Sequence, residues 1–300
     1  MPRTTANGIA IEYDIHGPAG GEPLLLIMGL GAQMTRWPDG LLQALADRGL
    51  RVIRFDNRDV GLSEHLDAAG APDLPGIMGS LMKGEKPDVA YTLDDMASDA
   101  VGLLDALDIP RAHIVGASLG GMVAQLVAAD HSQRVLSLTS IMSTTGNRAL
   151  PPATPEAIAV LNNRGPDPAE DLEGFLDHGV NSAKVIGSPG HPQDPAVVRE
   201  RALSDYRRTF YPVGFARQYA AAMASPDRRP KLAGVTAPTV VIHGEADPLV
   251  PLAGGQDTAE NIPGAELVVI PGMGHDLPPQ LYGAIADGIM RAVARAKTVA

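Results

Sequence analysis

The chain has 300 residues, 45% of them hydrophobic and 20% charged, and its 24 Lys and Arg against 35 Asp and Glu leave a formal charge of −11. That length holds one α/β domain with an insertion, or at most two domains, and the acidic balance disfavours nucleic acid and anionic membrane surfaces as partners. With no cysteine there is no disulfide framework, thiolate nucleophile or zinc-thiolate site.

In chain order, Ile9 to Ile15 alternates apolar and polar residues, as an outer antiparallel strand with one wet face would. Leu24 to Ile27 is continuously apolar, which suits a central strand covered on both faces, and it runs into the loop Met28-Gly29-Leu30-Gly31. The apolar run containing it, Leu24 to Ala32, is nine residues, far short of a membrane span. The first residues lack a basic segment followed by a hydrophobic one, so a cytoplasmic location is expected. After Trp37-Pro38-Asp39 a helix is predicted to about Asp47, followed by a strand over Arg51–Phe55, which makes a βαβ unit of a parallel sheet.

Asp56 and Asp59 lie in the next loop. Short polar side chains that bond their own backbone stabilise tight turns, and we read both as structural. Residues 66–90 read as a loop with one short helix, and Leu93–Leu107 as a helix. Val135–Met142 is a further strand. From residue 146 to 230 the alternation of strand and helix stops, and the stretch is expected to be a helical cap inserted into a core made of residues 1–145 and 231–300. The pairs Arg207-Arg208 and Arg228-Arg229 read as solvated ends of helices or loops. The pattern resumes with a strand over Thr239–Ile242, a helix near Leu252–Asn261, a strand over Glu266–Ile270 and a closing helix from about Gln280 to Ala296.

The informative stretch is His113 to Gln125, a short apolar strand, a turn of small residues and a helix. Its Gly116-Ala117-Ser118-Leu119-Gly120 is a Gly-x-Ser-x-Gly in the strand-turn-helix setting that presents a serine hydroxyl at a strand's C-terminal end. The helix aims its N-terminal N–H groups at the same place. A serine needs an imidazole base oriented by a carboxylate. Asp247 follows the Thr239–Ile242 strand, and His275 ends the glycine-rich loop after Glu266–Ile270. Of the eight histidines, His275 is the one in a loop beyond both Ser118 and Asp247. Glu245 and Asp276 compete as the acid, but Asp276 adjoins the base, and Pro248 restrains the backbone of Asp247. The segment Ser143-Thr144-Thr145-Gly146, where such a sheet can also hold its acid, has no carboxylate. Two backbone donors for an oxyanion are expected at Leu30 and Leu119. His191 and Asp194 are a close pair that could start a metal site, but no third ligand has recognisable spacing; no metal is expected. Met28, Met142 and Met273 are candidates for an apolar substrate pocket, and Met34, Met78, Met82 and Met223 lie in segments that could also contribute.

These motifs, Gly-Ala-Ser-Leu-Gly, Gly-Glu-Ala-Asp-Pro and Gly-Met-Gly-His, stand where the serine α/β-hydrolases have nucleophile, acid and base, and the chain resembles that superfamily over nearly its whole length outside the insertion. Val52–Asp59, Trp37-Pro38-Asp39 and Gly272–His275 are similar to bacterial carboxylesterases akin to aclacinomycin methylesterase. Many relatives begin the oxyanion loop with His-Gly, where this chain has Met28-Gly29; the backbone donor survives the change. Relatives that open epoxides or remove halide use an aspartate nucleophile, and Ser118 argues against both. The resemblance implies an α/β-hydrolase fold, a mostly parallel sheet flanked by helices, and a cofactor-free carboxylic ester hydrolase acting on small to medium, largely apolar esters. Thioesterase, lactonase, C–C hydrolase and cofactor-free perhydrolase use the same triad, and a non-catalytic ligand-binding protein would keep the fold.

Overall fold

The computed structural model describes residues 2–298. Eight strands form one sheet in the order β1 (Arg3–Ala6), β2 (Ile9–His16), β4 (Leu50–Phe55), β3 (Glu22–Ile27), β5 (Ala112–Ala117), β6 (Val135–Ile141), β7 (Thr239–Gly244) and β8 (Glu266–Ile270). β1 and β2 join antiparallel at one edge, and from β4 onward every pair is parallel. The alternating pattern of β2 and the continuous apolar run of β3 thus find the edge and the centre. β1 was not foreseen. It pairs with β2 through Asn7-Gly8, both with positive φ (50° and 80°), a dipeptide suited to a tight hairpin.

Among the described residues, eleven α-helices accompany the sheet: α1 (Asp39–Ala46), α2 (Leu74–Met82), α3 (Leu93–Ala106), α4 (Leu119–Asp130), α5 (Pro155–Asn162), α6 (Leu172–Ile186), α7 (Pro195–Arg208), α8 (Pro212–Ala224), α9 (Arg229–Leu232), α10 (Leu252–Asn261) and α11 (Tyr282–Lys297). Alternate strand residues feed two buried clusters. Leu25, Ile27, Ile53 and Ile114 meet the inner faces of α3 and α4, while Leu24, Leu26, Val52 and Val115 meet α1 and α11. α3 starts at a reciprocal cap in which Thr92 Oγ1 accepts the Asp95 N–H and the Asp95 carboxylate accepts the Thr92 N–H. None of the described helices is long and apolar enough to cross a membrane.

α5 to α8 lie in sequence between β6 and β7, and they are tied to the β4–α2 loop by buried charge. Asp59 is fully buried and accepts two 2.7 Å bonds from Arg217 of α8, and Asp56 pairs with Arg208 of α7 at 2.6 Å. Burial pushes the Asp59 carboxyl up, but Arg217 and the Leu66 N–H more than offset it, and the group sits below the ordinary range. Both aspartates are structural, as expected, but their partners are these distant arginines as well as their own turn. The solvated reading of the arginine pairs needs correction. Arg208 reaches a buried carboxylate, and Arg228 is 1% exposed, bonded to Gln125, Ser225 and the Thr144 carbonyl. Burial pushes Arg228 down to about 10, still a cation at neutral pH. Removing one partner of a buried pair leaves the other charge uncompensated. Arg217→Met is therefore expected to cost about 3–5 kcal/mol in chemical unfolding, and a loss below about 1 kcal/mol would contradict this role for the pair.

Two histidines inside strands set an acid limit. Burial holds His113 and His243 below the ordinary imidazole value. The unfolded chain therefore binds protons near pH 6.5 that the folded chain refuses, so their contribution is complete above about pH 6.5 and declines as pH falls below it. The urea midpoint should be lower at about pH 5 than at about pH 7.5; an unchanged midpoint would contradict it.

Candidate active site

Ser118 stands at the tip of β5, the strand between β3 and β6, immediately before α4. Its backbone has φ 55° and ψ −122°, a strained conformation for a residue with a side chain. The turn closes only because its neighbours lack bulk: a Cβ on Gly116 would lie 2.0 Å from the Gly120 carbonyl oxygen, and one on Gly120 would lie 2.0 Å from that of Ile27. Ser143, just beyond β6, donates its hydroxyl to the Ser118 carbonyl at 2.8 Å and braces the turn from the next strand.

The loops after β7 and β8 bring the partners. His275 Nε2 is 2.9 Å from Ser118 Oγ, and its Nδ1 is 2.7 Å from Asp247 Oδ2. The other oxygen, Asp247 Oδ1, accepts the backbone N–H groups of Leu249 and Val250 at 2.9 and 2.8 Å. The carboxylate is thus fixed from its own loop while its free edge meets the ring. His243 adds a brace at the end of β7, its Nε2 lying 2.8 Å from the Val250 carbonyl. Of the competing acids, Asp276 turns away to Ser188 and Gln193, and Glu245 is exposed. Ser118, His275 and Asp247 come together; Glu245 and Asp276 do not.

The β3–α1 loop lies across from Ser118, with Gly29 so near that a Cβ there would be 3.1 Å from Ser118 Cβ. The Gly31 N–H is held by Gln218 Oε1 of α8 at 2.8 Å, and Gln218 Nε2 in turn donates to the Arg58 carbonyl. Asn57 Nδ2 donates to the Met28 carbonyl at 2.9 Å. The N–H groups of Leu30 and Leu119 have no acceptor among the described residues. The loop carrying His275 is held in the same manner from the inserted helices: the His275 N–H donates to the Ile186 carbonyl at 2.7 Å, and the Gly274 N–H to Ser188 Oγ at 2.9 Å. Gln218 and Ser188 were missed in the sequence because each acts on a loop far away along the chain, 187 residues in the case of Gln218 and Gly31.

Above these groups is a cavity of about 520 Å³, walled on one side by Met28, Leu30 and Met142 and on the other by Val160, Phe175 and Phe215 of the inserted segment. Met273 is fully buried in the core and Met34 likewise, while Met82 is 82% exposed; none of these lines the cavity, nor do Met78 and Met223. His191 Nε2 bonds the Pro271 carbonyl and Asp194 caps α7, and no cluster of three metal-ligating side chains occurs among the described residues.

A mostly parallel sheet flanked by helices, with Ser118, Asp247 and His275 meeting on the loops after β5, β7 and β8, has the architecture of an α/β hydrolase. The chain belongs to the alpha/beta hydrolase fold family, which matches residues 22–279. Rhodomycin D methylesterase of Streptomyces peucetius is 30% identical over 302 residues, covering 94% of each chain. The 2-hydroxymuconate semialdehyde hydrolase of Pseudomonas sp. strain CF600 is 30% identical over 88% of this chain and 84% of its own length. Among solved structures, the meta-cleavage product hydrolase from Pseudomonas fluorescens IP01 matches with a TM-score of 0.74 at 22% identity, over 99% of this chain and 98% of that one, a likeness of fold alone. The protein is a hydrolase of this family, in a branch similar to aclacinomycin methylesterase.

Proposed function

We propose that the protein hydrolyses carboxylic esters through a covalent acyl-enzyme on Ser118. The observation that carries this reading is the unbroken hydrogen-bond path from Ser118 Oγ through His275 to Asp247 beneath a largely apolar cavity. His275 Nε2 takes the proton as Ser118 Oγ attacks the ester carbonyl, and Asp247 keeps the other ring proton on Nδ1. The N–H groups of Leu30 and Leu119 hold the oxyanion. His275 then gives its proton to the departing alcohol, and water repeats the sequence on the acyl group. The route needs no cofactor. In this reading residues 146–230 are a cap on the core, and Met28 and Met142 shape an apolar wall for small to medium esters.

A panel of nitrophenyl esters of graded acyl length, with one thioester, tests it. The protein should turn over the oxygen esters with kcat/KM rising from acetate to a medium chain. No hydrolysis of any member would overturn the reading. A C–C hydrolase is the second reading, favoured by the likeness to 2-hydroxymuconate semialdehyde hydrolase. Turnover of that semialdehyde in preference to every ester would establish it instead.

A further inference from the structure

Three arginines reach the cavity, and they differ in what balances them. Arg36 is paired with Asp205. Arg201 is held by Gln193 Oε1 at 2.9 Å and lies in the field of Asp205 and Asp276. Arg164, in the loop that follows α5, has no carboxylate in pairing range among the described residues. Its guanidinium carbon lies 3.7 Å from the centre of the Phe215 ring. Arg164 is exposed to solvent while lining the cavity, and no acidic side chain acts on it.

The ring that Arg164 covers is a fixed part of the site. Phe215 packs against the β3–α1 loop so closely that a Cβ on Gly31 would come within 2.4 Å of its Cδ2. Gly31 follows Leu30, the donor assigned to the oxyanion, so the guanidinium stands one aromatic ring away from the oxyanion loop. Stacking uses one face of the guanidinium and leaves the five in-plane N–H donors for a ligand. Contact with the ring orients the guanidinium but satisfies none of those donors. With the chain at −11 overall, an anion gains nothing from the long-range field, and any recognition of one has to be local.

We propose that Arg164 is a specificity-determining anion site, and that the preferred substrates are esters whose acyl portion ends in an ionised carboxylate, that is, half-esters of dicarboxylic acids. A single guanidinium balances one carboxylate, and its paired N–H donors match the two oxygens; a phosphate dianion would leave a charge unbalanced. An anchor on the acyl portion also persists through both half-reactions, whereas one on the alcohol departs with it. This inference rests on the ester-hydrolase reading of the same cavity.

The test measures kcat/KM for monomethyl esters of five- to eight-carbon dicarboxylic acids against methyl esters of monocarboxylic acids of equal length, in the wild type, Arg164→Gln and Arg164→Lys. Labelling of Ser118 by a fluorophosphonate probe reports in each protein that the site is assembled. The wild type should favour at least one half-ester over its neutral match by tenfold or more, Arg164→Gln should bring that ratio towards one mainly through KM, and Arg164→Lys should keep part of it. A wild-type ratio near or below one at every length, or a ratio retained in Arg164→Gln, would overturn the anion site while leaving the ester hydrolase intact. Failure of the labelled wild type to hydrolyse either class would overturn the parent reading, and this one with it.

Discussion

Ser118→Ala is expected to lower kcat for ester hydrolysis by at least about 10³-fold, because it removes the one oxygen in line with His275 Nε2 and leaves only binding and the oxyanion donors. Folding should survive. Serine and alanine carry the same Cβ at this strained position, the flanking glycines still make room, and Ser143 braces the backbone carbonyl rather than the hydroxyl. The check is kcat on a nitrophenyl ester beside a thermal melt. A folded variant with more than a tenth of the wild-type rate would remove Ser118 from the mechanism.

Asp247→Asn is expected to cost about 10³–10⁴ in kcat, for a reason the hydrogen bonds make specific. Asp247 Oδ1 accepts two backbone N–H groups, so an asparagine must place its carbonyl oxygen there and its NH2 against His275. The amide then donates to Nδ1, the ring proton is forced onto Nε2, and the nitrogen facing Ser118 can no longer take a proton. Glu245→Gln and Asp276→Asn should each cost less than about tenfold, since neither side chain meets the ring. If Glu245→Gln proved the crippling change, or a folded Asp247→Asn stayed near wild type, the acid would be misassigned.

The parts legible in the sequence are those written in local pattern. β3, β5 and β7 are buried on both faces and read as apolar runs, and the Ser118 turn is written in consecutive small residues. That Asp247 and His275 would meet Ser118 could be read because strand-end loops are where a parallel sheet gathers its side chains. Boundaries were less legible where tertiary packing outweighs propensity. Within the segment expected to be a helical cap, α6 runs on to Ile186 through Gly179, Val180 and Asn181, all weak helix formers. What lay beyond local pattern is the set of buried polar ties between the inserted helices and the core. Asp59 and Arg217 are 158 residues apart, and no spacing rule announces that they meet. The same holds for Gln218 beneath Gly31, and for the stacking of Arg164 on Phe215.

The measurement that meets the central claim most directly is stoichiometric labelling with a fluorophosphonate, followed by intact-mass and peptide analysis and by residual activity on a nitrophenyl ester. The account predicts one adduct per chain, on the peptide carrying Ser118, with hydrolysis lost in proportion to labelling and no adduct in Ser118→Ala. Full ester hydrolysis by a quantitatively labelled protein, or active protein whose adduct lies on another residue, would contradict it.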